Sequence, residues 1–266
     1  AQHTLTVVTD MDLFRLDEGQ RGLLIELLGD FPEYCTLVFL YRQIPYKKDG
    51  KMKKLTAAVA AHATEIEFTQ QGRQKMQKWV RRRFAAFDKE LDDNAIDHLL
   101  FTCGSLMDGL VPEINKIAAY TKGQRVTVAD IDAVADPVLD ARIFDMTNAV
   151  TARDYDRAAA VLAELFRMQT EPIAILAALS RELRQLYTAR LALDGKKDAV
   201  WVKDLWRMTS DYPAKKLMQS ARAVSRPWCR EAVRRCQTLD RRMKSERNMD
   251  AEGALKLFLM ELAGAR

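Results

Sequence analysis

The 266 residues carry 42 Lys and Arg against 37 Asp and Glu, a formal charge of +5, with 48% hydrophobic and 30% charged residues. That mix fits a globular chain and excludes a disordered or collagen-like one. Charged residues interrupt every apolar run before it reaches about 18 residues, which excludes a transmembrane helix. The length predicts two domains or three small ones, and the few glycines (11) and prolines (7) lean towards helix. Cys35, Cys103, Cys229 and Cys236 form no CxxC pair, and His3, His62 and His98 are scattered, so no zinc site is expected. A reduced, cytoplasmic protein follows as the expectation.

The chain opens at Ala1 directly into an apolar, β-branched run, Thr4 to Thr9, of the kind a buried parallel strand shows. We read this opening as the interior of a domain, an N-terminal truncation. A helix from Gln20 to Leu28 follows, with Gly29 as its C-cap, then a second buried strand from Thr36 to Tyr41, a helix from Lys53 to Ala63 and a short strand from Glu65 to Phe68. Strands alternating with helices predict a parallel sheet. After Phe68 helices take over: Gly72 to Phe87, Asp92 to Cys103, Met107 to Tyr120, and a short one from Val128 behind a Thr127/Asp130 capping pair. Asp136-Pro137 marks a boundary, because the residue before proline is pushed out of helical geometry. Seven more helices are expected, at Ala141 to Thr151, Asp154 to Met168, Pro172 to Asp194, Val200 to Met208, Ala214 to Ala223, Arg226 to Met243 and Ala251 to Ala263. The expected parse is a partial α/β domain over residues 1–70, a small helical domain over 71–136 and a larger all-α domain over 137–266.

Chemistry-bearing motifs are sparse. No glycine-rich phosphate loop and no nucleophile-and-base motif occurs. The strand Thr4 to Thr9 ends in Asp10 and Asp12, where a Walker B strand would hold magnesium, but Asp-Met-Asp is not Asp-Glu, and a capping turn explains it better. Tyr41 and Arg42 lie at the tip of the second strand, where an ATPase would place a polar sensor. Paired carboxylates at Asp92 and Asp93, and at Asp130 and Asp132, fall near helix starts and read as caps. Trp79 and Phe84 are expected in the core, with Arg81, Arg82 and Arg83 facing water. Trp201, Leu205 and Met208, at i, i+4 and i+7, are expected as a buried stripe. Between Lys196 and Arg247 fifteen basic residues face six acidic ones, a balance that suits either a solvated face or a polyanionic partner.

Three stretches together resemble the delta subunit of the bacterial DNA polymerase III clamp loader. They are Leu5 to Asp10 with Thr36 to Phe39 and the lysine-rich Lys51 to Leu55; Gly104, Leu110, Glu113 and Lys116 in the pattern G-x(5)-L-x(2)-E-x(2)-K; and a C-terminal set. That set comprises Ile143-Phe144-Asp145 with Ala149, Glu171-Pro172, Arg181, Arg184-Gln185-Leu186, Tyr212-Pro213-Ala214-Lys215-Lys216, Leu239-Asp240 and Lys244. The resemblance implies a partial RecA-like AAA+ domain, a three-helix lid and a helical collar through which subunits assemble. It implies a subunit that binds and opens the beta sliding clamp without hydrolysing ATP, meets tau/gamma and delta prime subunits through the collar, and touches primer-template DNA only within the assembled complex. No cofactor and no membrane contact are implied.

One departure from active relatives fits that reading. Met107 stands where an active lid places an arginine that senses the γ-phosphate, and a thioether cannot offset phosphate charge. The helix that carries the family's clamp contacts is expected just before Ala1, so the resemblance names no clamp-contacting residue. Two readings from other classes stay open: an active AAA+ ATPase whose P-loop is trimmed away, and a stand-alone basic helical protein that binds nucleic acid through Lys196 to Arg247.

Overall fold

The computed structural model describes residues 3–69 and 71–264. Its contacts separate the chain into two compact units, residues 1–70 and 71–266.

In the first unit β1 (Thr4–Thr9) pairs in parallel with β2 (Cys35–Leu40), in register from Thr4 opposite Cys35 to Thr9 opposite Leu40. Parallel neighbours need a crossover, and α1 (Glu18–Gly29) supplies it. It starts on a capping box: the Asp17 side chain accepts from the Gln20 backbone N–H at 2.9 Å, while the Gln20 side chain accepts from Asp17 N–H. The helix runs one residue past the expected Leu28, so Gly29 lies inside it and Asp30 is the cap. α2 (Lys53–His62) completes the unit, whose core is Leu13, Phe14, Leu24, Leu55 and Val59. Each such side chain contributes about 1.5 to 3 kcal/mol when fully buried.

Two expectations fail in this unit. The strands are not buried: Leu5 is 65% exposed and Val7 51%, because among the described residues no element covers that face of the sheet. Nor does Glu65 to Phe68 form a strand. Among the described residues no partner strand offers it hydrogen bonds, Phe68 is fully in solvent, and Glu65 is held instead by the Tyr46 hydroxyl at 3.2 Å and by Lys48 at 2.7 Å.

The second unit is helical. α3 (Arg73–Ala85), α4 (Asp93–Cys103), α5 (Met107–Tyr120) and α6 (Val128–Val134) enclose Val80, Phe84, Ile96, Leu99, Leu110, Ile114 and Ile131. Phe84 is buried as expected, and Trp79 is half-buried beneath Arg83, whose guanidinium lies 5.3 Å from the ring centroid. Asp92 caps α4, and the Thr127/Asp130 pair forms a complete capping box on α6.

α7 (Leu139–Thr151), α8 (Tyr155–Arg167), α9 (Pro172–Asp194), α10 (Ala199–Leu205), α11 (Tyr212–Ser220), α12 (Arg226–Ser245) and α13 (Ala251–Gly264) follow. The long α9, opened by Pro172 in its first turn where a missing N–H costs nothing, runs through their shared core against α7, α11, α12 and α13. Of the expected stripe of Trp201, Leu205 and Met208, only Met208 packs against the core. Trp201 is 40% and Leu205 58% exposed, while Val202 and Trp206, one position on, face the core. α10 also stops at Leu205, since Arg207 takes a left-handed φ of 51° that ends the helix before Met208.

Candidate functional site

At the tip of β1 the Asp10 carboxylate is a structural knot. Its Oδ1 accepts the backbone N–H groups of Arg42 at 2.8 Å, Gln43 at 2.9 Å and Ile44 at 3.3 Å, so it ties down the loop that leaves β2. Those amides hold its carboxyl below the usual range, Gln43 and Arg42 contributing most. Asp12 caps the 3-10 turn Leu13–Arg15 by accepting from Phe14 N–H at 3.1 Å, and pairs with Arg15. Both carboxylates are thus organised around chain reversal. Arg42 takes part in this arrangement through its backbone N–H. Among the described residues no three His, Cys, Asp or Glu side chains come together in a way that could hold a metal ion.

The spaced motif in the helical unit folds into a clasp. Gly104 ends α4 at φ +79°, a conformation an L side chain rarely adopts, and a Cβ there would sit 3.5 Å from Val138 Cγ1. Leu110 is fully buried. Lys116 Nζ donates to Asp136 Oδ2 at 2.8 Å and contacts Glu113 Oε1 at 2.9 Å, while Glu113 Oε2 accepts from Asp136 N–H at 2.9 Å. Hydrogen bonds to Asp136 and then Glu113 raise the Lys116 pKa, and Lys116 in turn lowers that of Asp136. One i, i+3 pair on α5 therefore fixes where the chain leaves α6, and Val138 N–H continues the attachment by donating to Thr102 O at 2.8 Å. Met107 begins α5 beside Leu106, with its side chain only half-buried.

A second junction was only partly visible in the sequence. His98 is buried, with Nε2 2.6 Å from Asp132 Oδ1 and Nδ1 2.9 Å from the Tyr212 hydroxyl. A carboxylate accepts, so Nε2 carries hydrogen towards Asp132, and Nδ1 shares a hydrogen bond with the Tyr212 hydroxyl. One imidazole thus joins α4 to α6 and α11. Burial first, then Asp132 and Asp97, push the Tyr212 hydroxyl up to about 12. The Lys216 ammonium lies 5.3 Å from the Tyr212 ring centroid, 5.4 Å from Phe101 and 5.7 Å from Phe144, within cation–π reach of all three. Tyr212 and Lys216 were singled out by the motif; His98, 114 residues away from Tyr212, was not. Lys215 is paired with Asp211 at 2.5 Å, and Lys244 with Asp240 at 2.8 Å, an exposed i, i+4 contact worth about 0.3 to 0.5 kcal/mol. The Lys244–Asp240 pair lies on one helix, while Asp211, at the start of α11, also lies 3.9 Å from Arg73 on α3.

Part of the basic stretch is ion-paired. Glu231 binds both Arg234 at 2.6 Å and Arg235 at 2.8 Å, which pull its carboxyl down to about 2, and Arg242 binds Glu246 at 2.9 Å. Arg235 also reaches Glu261 on α13.

A family model described as the DNA polymerase III delta subunit, C-terminal domain, matches residues 140–262, which is α7 to α13 almost in full. The DNA polymerase III subunit delta of Bacillus subtilis is 24% identical over 223 residues, covering 82% of this chain and 62% of that protein. A probable DNA polymerase III subunit delta of Aquifex aeolicus is 21% identical over 155 residues, 58% of this chain and 44% of the other. This chain therefore spans less than two thirds of the length of these curated relatives. Among solved structures, the Bacillus subtilis DNA clamp loader delta protein superposes with a TM-score of 0.58 at 20% identity, covering 99% of this chain and 78% of that one, a likeness of fold.

Proposed function

We propose that the chain, which is similar to DNA polymerase III delta subunits, acts as a non-hydrolysing clamp-loader subunit that binds and opens the beta sliding clamp for loading onto primed DNA. In this reading residues 1–70 are part of a RecA-like AAA+ domain, 71–136 a lid and 137–266 a collar that meets tau/gamma and delta prime subunits. Primer-template DNA is met within the assembled complex, in the cytoplasm. The observation that supports the absence of hydrolysis is the fate of Asp10: its Oδ1 is engaged by three backbone amides of the loop that leaves β2. Met107 adds to it, since no cation stands at the start of α5 to meet a γ-phosphate.

The mechanism is then one of differential binding. A protein holds a ring open only to the extent that it binds the open form more tightly than the closed one, and the work is done by surface complementarity without bond chemistry. The rigid block formed by the His98 bridge and the Lys116 clasp suits that task, because a lever has to transmit displacement without flexing. The stand-alone nucleic-acid reading is less favoured, because Arg234, Arg235 and Arg242 of α12 already hold carboxylates.

The test is unloading of the organism's sliding clamp from nicked circular DNA by the full-length protein without nucleotide. Release of clamp with no ATP turnover is the expected result. ATP hydrolysis by the isolated subunit, or indifference to the clamp, would overturn the proposal.

A further inference from the structure

A cavity of about 430 Å³ lies among α3, α4, α7, α9 and the turn leading to α11, a size within the range of ligand-binding clefts. Five charged side chains line it: Arg73, Asp97, Asp140, Arg181 and Glu182. Four of them are matched. Arg73 pairs with Asp97, which also accepts from Gln77 at 3.1 Å, and Arg181 pairs with Asp140. Glu182 is left over, with no ion pair and no hydrogen bond among the described residues. A second polar group on the same wall is also unmatched: the indole Nε1–H of Trp206 is buried without an acceptor. An orphaned buried donor such as the Trp206 N–H costs about 1 to 3 kcal/mol, and the half-buried Glu182 carboxylate in the same cavity is also without a partner among the described residues, so the cavity offers one acid and one donor to a ligand.

The missing complement has defined chemistry. Glu182 calls for a cation and Trp206 Nε1 for a neutral acceptor, and the apolar wall of Met76, Phe101 and Phe144 suits the methylenes between them. We propose that this cavity binds an arginine or lysine side chain presented by another protein, with the ammonium or guanidinium on Glu182 and a peptide carbonyl on Trp206. Polyamines lack the acceptor and acidic ligands would meet an unpaired carboxylate, so neither fits. The inference is independent of clamp opening and would survive its failure.

The empty site also dictates how binding responds to pH. Burial, reinforced by Asp140 and opposed by Arg181, pushes the Glu182 carboxyl up to about 8. The charged groups facing it are Asp140 on α7, Arg181 on α9, Arg73 on α3 and Asp97 on α4. A cation binds the ionised form, so binding below that value expels a proton, and affinity rises between about pH 6 and about pH 9. Arginine keeps its charge throughout this range.

The experiment titrates the full chain with N-acetyl-arginine amide and with its lysine counterpart, following the Trp206 indole N–H resonance, one of four tryptophan signals, assigned with Trp206→Phe. A saturable shift is expected, and the stronger of the two ligands identifies the side chain. N-acetyl-citrulline amide, which keeps the shape without the charge, is expected to bind about tenfold more weakly or worse, and Glu182→Gln to lose about the same factor along with the pH dependence. An indole resonance unmoved up to the solubility limit, or equal binding of the citrulline compound, overturns the proposal. The citrulline comparison uses unsubstituted protein and stands whatever the stability of the Glu182 variant.

Discussion

Residues 3–69 and residues 71–264 are built from the same apolar side chains and treat them differently. The first unit buries five and leaves Leu5, Val7, Leu23 and Leu27 in water, while the second closes continuous clusters over every helix from α3 to α13. Propensity explains the secondary structure of both. Burial does not follow from propensity: it requires a second layer, and each helix of the second unit finds one along at least one face.

The sharpest way to break that contrast is to shorten one leucine in each unit. Leu110→Ala, in a fully enclosed site, is expected to cost about 2 to 5 kcal/mol, whereas Leu5→Ala on the open face of β1 is expected to cost less than about 0.5 kcal/mol. Urea unfolding followed by circular dichroism measures both, and equal effects would erase the distinction. Next in size is His98→Phe. It keeps an aromatic ring but removes both hydrogen bonds of the imidazole, leaving the half-buried Tyr212 hydroxyl without this partner, for an expected loss of about 1 to 3 kcal/mol. Thr127→Ala removes the capping box of α6 and is expected to cost about 1 kcal/mol, seen as a lowered melting temperature.

Two smaller effects concern titration and reactivity. The folded-state pKa of Asp10 is lowered, so its contribution is complete above the unfolded value of about 3.9 and disappears as pH falls through the folded value. The amide resonances of Arg42 and Gln43 should report a midpoint below that of a free aspartate, and Asp10→Asn should abolish the transition. A normal midpoint would remove Asp10 from its role in the loop. Burial lifts the thiols of Cys103 and Cys229 to about 12 and that of Cys236 to about 11. Thiol reagents at pH 8 should therefore modify Cys35 first and the other three only on unfolding.

Much of this fold was legible because helices announce themselves at both ends. Asp92, Thr127 and Pro172 stand where caps and first turns belong, and the apolar period between them is long enough to be unambiguous. Three things could not be read. A β-branched run such as Thr4 to Thr9 says that it can be buried, and says nothing of what lies over it. In α10 the two candidate stripes, Trp201/Leu205 and Val202/Trp206, differ by a single position, and the choice belongs to α9 and α11, which supply the other side of the contact. The partnership of His98 with Tyr212 depends on two helices far apart in sequence, so no local pattern encodes it. The motif Gly104, Leu110, Glu113, Lys116 was visible as spacing, but its work, fastening Asp136, needed the three-dimensional path of the chain.

The Asp10 knot also bears on protein engineering. Oδ1 is committed to three amides at once, and the residue holds a left-handed φ of 55° while it does so. Installing a divalent-cation site at this strand tip therefore takes more than exchanging Asp12 for glutamate: the Arg42-Gln43-Ile44 segment would need a new acceptor for its amides before the carboxylate could turn outward.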